Sequence, residues 1–363
     1  MTTIAKPTRR GIRVGPTSFA TRPRVLLVLV IALVATVGLA IVSLGVGDFR
    51  VAPGRVVEII FGAGDRREQL VILGIRLPRI LLAVVVGAAL ALSGAIVQTI
   101  ARNGLASPDL LGVTSGAGAG AVAVIVLGSA SSENVAGGEA IGILRTLGVP
   151  AAALIGGFAA AALVAIVLRL TGANGLRPIL VGVGVSAFFG GLTSWMLVIA
   201  NIDDAAQANA WLTGSLGGRS WPEVTAVALV TAVVVVALIP LASALPSLEL
   251  GVDVARALGV RVGLTTTALL AGAVVLAAIT ASAVGPIGFV ALVAPHLARL
   301  ATAAPRAPLG VSAVIGAFVV LASDLVARTV AAPILLPTGA VTAVVGAPFL
   351  VWLLVRSRKD LTA

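Results

Sequence analysis

The sequence has no cysteine and no tyrosine, a single histidine and only two lysines. The absence of cysteine excludes thiolate metal sites, thiol catalysis and disulfides, and leaves the redox compartment undetermined. One histidine, His296, rules out a histidine-rich metal centre or a histidine-based catalytic triad within the chain. Both lysines, Lys6 and Lys359, stand in the tails, so no segment fits the phosphate-binding pattern G-x-x-x-x-G-K-[ST]. Any ATP that drives this protein is expected to be hydrolysed on another subunit. Charge is thin too, at 11% of residues against 59% hydrophobic, and it gathers in short breaks. A soluble fold needs charge spread over its surface, and this chain lacks it.

What is present is a series of about ten apolar runs. Val25–Gly45 holds 21 residues without a charge, long enough as a helix to cross a hydrocarbon core of about 30 Å. Ile80–Ile100, Leu110–Gly128, Leu147–Leu168, Ile179–Ala200, Val224–Leu245, Leu264–Val284, Ile287–Ala303, Leu309–Ala322 and Leu335–Val355 follow. The pattern predicts an all-α polytopic membrane protein with about ten transmembrane helices. At 363 residues little remains for a soluble domain. The expected division is a basic tail over 1–24 and a single transmembrane domain over 25–363. The first run is longer than the roughly 7–15 residues of a signal-peptide core, so it is read as a retained helix. The 42 glycines, with abundant alanine, let helices approach closely in lipid, where packing drives association.

The net charge of +11 reads as an orientation signal, not as a nucleic-acid footprint. With the N-terminus inside and ten spans, the 25 basic and 14 acidic residues divide as 16 against 4 inside and 9 against 10 outside. The reverse topology would put Lys6, Arg9, Arg10, Arg13, Arg22 and Arg24 outside, against the positive-inside rule. Both termini are therefore expected in the cytoplasm, with the chain in the plasma membrane.

The breaks carry local signals. Asp48–Arg79 lies outside and contains a short expected interfacial helix over Val56–Phe61, begun by Pro53 and ended near Gly62. Arg102–Asp109 lies inside, punctuated by Asn-Gly and Ser-Pro. Gly172–Gly175 reads as a tight inner turn, and Pro246–Arg261 as the largest inner loop after the tail. The uncharged stretch from Val262 to Ala298 is too long for one span, and Val284-Gly285-Pro286-Ile287-Gly288 divides it with a sharp outer turn. Trp195, Trp211 and Trp221 fall near the outer interface, where tryptophan is favoured. Five plus five spans leave room for an inverted repeat. Asp324, near a helix end, is the one carboxylate expected within a span. That scarcity counts against a proton-coupled secondary carrier, which usually needs embedded ionisable groups, though that class stays open. Pro295 must leave the Ala291 carbonyl without its helical partner, and His296 beside it is expected to satisfy a nearby backbone group. No catalytic, cofactor or metal residues are assigned.

Several blocks resemble a known family. Arg76-Leu-Pro-Arg79, Gly87-Ala-Ala-Leu-Ala-Leu-Ser-Gly-Ala-Ile-Val-Gln98 and Leu105-Ala-Ser-Pro-Asp-Leu-Leu-Gly112 are similar to the FecCD-type permeases for iron–siderophore, haem and vitamin B12 uptake. So are Gly285-Pro-Ile-Gly-Phe-Val-Ala-Leu-Val-Ala-Pro-His-Leu-Ala-Arg-Leu300 and Leu336-Pro-Thr-Gly-Ala-Val-Thr-Ala-Val-Val-Gly-Ala-Pro348. The blocks keep family order and spacing from about Arg76 to Leu354. One departure is Asn103-Gly104 where the family usually has Asn-Pro.

The resemblance implies a permease subunit of an ATP-driven importer of a metal chelate. Iron–siderophore is the first cargo it suggests, and haem or vitamin B12 the alternative. It implies a second permease subunit, identical or a paralogue, two ATPase subunits carrying ATP-Mg, and an extracytoplasmic substrate-binding protein. It places Arg76, Arg79 and Arg328 where the binding protein docks. Read from the residues alone, these arginines also suit snorkelling anchors, with a local Asp324–Arg328 pair. The inner segment Leu248–Val260 resembles the ATPase-coupling segment, with Glu249, Asp253, Ala255, Arg256, Leu258 and Gly259. A short helix there would set Ala255 and Leu258 on one side for docking, with Gly259 as its stop; a solvated loop is the plainer reading. A cytoplasmic gate is implied at Asn103, Gly104 and Leu105 and at Asn174, Gly175 and Leu176, where ordinary helix-ending turns are the alternative.

Overall fold

The computed structural model describes residues 11–14, 17–20, 23–47, 49–129, 138–171 and 177–359. Inner and outer below denote the ends that the positive-inside rule assigns. The tail holds a short antiparallel hairpin, β1 (Gly11–Val14) with β2 (Thr17–Ala20); helices make up the membrane domain.

Helix α1 (Pro23–Gly45) leads to the outer face, where α2 (Pro53–Ile60) and α3 (Arg66–Gln69) form the long break. As expected, Pro53 opens α2, and the chain turns away at Gly62 with φ +96°. Val56 and Ile59 are fully buried while Phe61 is exposed, so α2 rests on the bundle with one face. Asp65 and Glu68 cap α3 reciprocally. Hydrogen bonds to Glu68, then Glu58, hold the Arg55 guanidinium above its ordinary pKa range. A π-helical turn, Leu70–Arg76, feeds α4 (Leu77–Ala101), which returns to the inner side.

The remaining elements are α5 (Val113–Ser129), α6 (Gly138–Thr171), α7 (Arg177–Ile199), α8 (Ile202–Leu212), α9 (Trp221–Ala242), α10 (Leu245–Glu249) and α11 (Val252–Ala257). After them come α12 (Val262–Val284), α13 (Val290–Thr302), α14 (Leu309–Thr329) and α15 (Thr338–Lys359). Among the described residues eight helices are long and apolar enough to span, and α5 and α13 are shorter apolar helices. Ten crossings follow if those two are completed by other backbone. Helix α13, with 13 residues, reaches only about 20 Å. Irregular segments at 103–112 and 285–289 precede the two short helices. Pro108 and Asp109 line the same small cavity as Leu90, at the midpoint of α4, and Pro286. Pro108 is buried there and Asp109 is exposed, and non-helical backbone at such depth is tolerated where it is buried in protein or lines a water-filled cavity. Asp109 is thus a second carboxylate at membrane depth, where the sequence pattern had left it in an inner loop. The carboxylate accepts from the hydroxyls of Thr114 and Ser107.

Small residues set the helix crossings. A Cβ on Gly87 would stand 2.2 Å from the Gly316 carbonyl, and one on Gly316 2.2 Å from the Gly87 carbonyl, so α4 and α14 touch backbone to backbone. Gly116 and Gly156 do the same for α5 and α6. Gly94 of α4 sits on the Ala291 carbonyl that Pro295 leaves bare in α13. Intrahelical back-bonding satisfies the hydroxyls of Thr36, Thr99, Thr193 and Thr302. Ser93 donates to the Ala273 carbonyl at 2.7 Å and ties α4 to α12. Helix α14 runs to Thr329, beyond the expected end at Ala322, because Asp324 finds cationic partners inside the protein.

Candidate functional site

At the outer end, Asp324 is fully buried and holds two guanidiniums. Arg79 grips it bidentately, with Nε at 3.0 Å and Nη2 at 2.8 Å from Oδ1. Arg328 Nε lies 3.2 Å from Oδ2, and Thr338 donates to Oδ1 at 3.2 Å. Arg328 also donates to the carbonyl and hydroxyl of Ser43, and Arg76 donates to the carbonyls of Leu44 and Phe49 at 2.7 Å each. These carbonyls lie at and beyond the outer end of α1, where a helix leaves acceptors unsatisfied. The three arginines expected at a docking surface therefore staple α1, α4 and α14 together. The expected local Asp324–Arg328 pair exists, but as part of a larger network. With Arg50, which the sequence gave no reason to single out, they line an outer cleft of about 880 Å³. Among the described residues that line it, four are arginines and none is acidic, with Asp324 buried behind them.

At the inner end, the segment expected to couple to a partner forms two short helices, α10 and α11. Gly259 ends α11 with φ +82°, as anticipated. The expected shared face is not formed. Ala255 is fully buried against the protein's own bundle, whereas Leu258 is exposed. The reason is register: Leu245, Leu248 and Ala255 pack with Ile96, Val97, Ala106 and Leu269, which turns the opposite side outward. That outward side carries Leu250, Val254 and Leu258, exposed by 69%, 43% and 63%. They come from the residue after α10, from within α11 and from its C-cap, because Gly251 breaks the helix between Leu250 and Val254 with φ +123°. Asp253 and Arg256 pair with each other at 3.4 Å on the exposed side, and Glu249 faces Arg306 at 4.0 Å.

Asn103, Gly104 and Leu105, expected at a gate, form a compact turn. Asn103 Oδ1 accepts from the Leu105 amide at 2.9 Å, and the Asn103 carbonyl accepts from the Ala106 amide at 3.1 Å. Leu105 is partly exposed at 37%. Ala106 belongs to the same apolar cluster as Leu245 and Leu248, so the turn and the segment of α10 and α11 share a core. Asn174, Gly175 and Leu176, and the Gly172–Gly175 turn, lie outside the described residues. His296 is buried, with both ring nitrogens 3.4 Å from Arg299 Nη2 and the Phe349 ring edge-on at 6.0 Å. It meets these side chains instead of the backbone group expected. No group of three or more metal-ligating side chains occurs among the described residues.

The chain matches the FecCD transport family over residues 30–356. It is 35% identical over 351 residues to the probable siderophore transport system permease protein YfhA of Bacillus subtilis, covering 96% of this chain and 99% of that one. It is 36% identical to the iron(3+)-hydroxamate import system permease protein FhuG of Bacillus subtilis, covering 92% and 97%. It is 34% identical to the ferric enterobactin transport system permease protein FepG of Escherichia coli, covering 93% and 98%. Its fold is similar to a solved structure described as a metal-chelate type ABC transporter in an inward-facing conformation. The TM-score is 0.76 at 30% identity, and the match covers 92% of this chain and all of that one.

Proposed function

Because this chain belongs to the FecCD transport family and is a multi-pass permease subunit, we propose that it carries a ferric siderophore inward, powered by ATP-Mg on separate ATPase subunits. The observation that carries the powering step is the exposure of Leu250, Val254 and Leu258 on an inner loop. An apolar face of this kind has no reason to meet water and fits a groove in a cytoplasmic partner. Glu249, Asp253, Arg256 and Gly259 shape the loop around it. Because Leu245, Leu248 and Ala106 share one core, a push on this loop reaches the Asn103-Gly104-Leu105 turn through packed side chains. Both termini are then cytoplasmic, and a second permease subunit completes a central path.

On the outer side, Arg50, Arg76, Arg79 and Arg328 make a positive cleft suited to carboxylates of a substrate-binding protein. The relatives whose names state an iron(3+)-hydroxamate or a siderophore support iron–siderophore over haem or vitamin B12 as cargo.

The test is uptake of a ferric hydroxamate into proteoliposomes holding the assembled transporter with its ATPase and binding protein. Uptake is expected to require ATP, and the triple change Leu250→Ser, Val254→Ser and Leu258→Ser to abolish it while the permease stays folded. Uptake that survives ATP removal and stops when the proton gradient collapses would overturn the reading.

A further inference from the structure

The transport reading leaves unused a cavity of about 260 Å³ enclosed by the inner ends of α4 and α13 and the loop before α14. Three guanidiniums reach it from three separate elements. Arg102 comes from the left-handed cap of α4, Arg299 from the last turn of α13, and Arg306 from the loop. The cavity's one carboxylate is Glu249 of α10, and it stands 4.0 Å from Arg306 Nε, the outer limit of an ion pair. Much of the positive charge is unmatched. Arg306 Nη1 is buried without a hydrogen-bond partner. Arg299 lies against the His296 imidazole instead of an acid. Arg102 makes no side-chain ion pair among the described residues.

Water reaches the cluster, since Arg102 is exposed and the Arg306 and Glu249 side chains are 38% and 37% exposed, but three cations against one carboxylate still leave a net charge of about two that attracts an anion. One carboxylate ligand would satisfy one guanidinium fork. Three forks converging from different directions suit a group with oxygens on several sides, and guanidinium geometry matches phosphate oxygens. We propose that this cavity binds a phosphate group. Its place at the inner ends of the helices is headgroup depth, and Arg24 at the start of α1 bonds the Ala301 carbonyl at 3.1 Å close by. The phosphate then belongs either to an inner-leaflet phospholipid or to a free cytoplasmic phosphate. In either case it bridges the Arg102–Leu105 turn, α13 and the coupling helix α10. The inference is independent of the cargo and of the energy source.

The test uses the full-length chain in nanodiscs without nucleotide, with melting temperature as the readout. One arm titrates inorganic phosphate into phosphatidylcholine discs at constant ionic strength. The other raises the phosphatidylglycerol content of the discs with no free phosphate. A shift in the first arm identifies free phosphate as the source, and a shift in the second arm alone identifies the lipid. Arg102→Gln and Arg299→Gln should each raise the half-maximal concentration at least about tenfold, as expected for a lost charged hydrogen bond. Glu249→Gln should lower it, because it removes the competing carboxylate. Arg306→Gln should act like the other two. If that variant does not fold, Arg102→Gln and Glu249→Gln still decide the matter. No shift in either arm for the wild type, or arginine variants that respond as the wild type does, would overturn the proposal.

Discussion

Asp324 shows how one buried charge organises an outer face. It has no exposure, and its neighbours Arg79 and Arg328 have side chains 15% and 12% exposed. A buried ion pair contributes little compared with well-packed apolar groups, but removing one partner strands the other charge. Asp324→Asn is therefore expected to destabilise the protein by about 3–5 kcal/mol, read as a fall in melting temperature in detergent. An unchanged melting temperature would mean that water reaches the two guanidiniums. Arg79→Lys should fall between, since a lysine reaches the carboxylate but cannot grip it with a fork.

At the scale of the helix, close packing comes from glycines facing carbonyls. A Cβ on Gly94 would fall 1.7 Å from the Ala291 carbonyl oxygen, and backbone on that side cannot swing away. Gly94→Ala should force α4 and α13 apart and cost about 1–3 kcal/mol. Gly263, in α12, faces open space, so Gly263→Ala should be neutral or stabilise by up to about 1 kcal/mol. Thermal melting of the two variants side by side checks the contrast. Equal effects would show that helix propensity, not the crossing, governs both sites. The motif containing Gly94 was visible in the sequence, and so was the bare carbonyl before Pro295. Their meeting was not, because the two lie in separate blocks nearly two hundred positions apart.

For the whole molecule, the arginine network separates two roles that the sequence had merged. Changing Arg76, Arg79 or Arg328 would break the staple between α1, α4 and α14, so a loss of partner binding in such variants would be ambiguous. Arg50 lines the same cleft but is exposed and stands outside the Asp324 network. Arg50→Glu is expected to weaken association with the binding protein and reduce its salt dependence while leaving the melting temperature unchanged, because screened surface charge steers docking without supporting the fold. Titration of the binding protein at low and high salt measures this. Unaltered affinity at low salt would remove the cleft from the docking surface.

Sequence alone determined what depends on local properties of the chain. The apolar helices follow from the lengths of apolar runs, the lack of a G-x-x-x-x-G-K-[ST] segment from the placement of two lysines, and the family from ordered motifs. The ends of α2 and the stop at Gly259 were also legible, because proline and glycine act on their own backbone. Only the tertiary structure decided which way side chains face once helices pack. Arg79 meets Asp324 across 245 positions of sequence. Ala255 turns inward because Leu245 and Leu248 anchor its segment to α4, which leaves Leu258 outside. Asp109 lines one small cavity with Leu90 and Pro286, which stand far from it in sequence or on other elements. Each of these outcomes depends on distant partners, and a run of neighbouring residues carries no record of them.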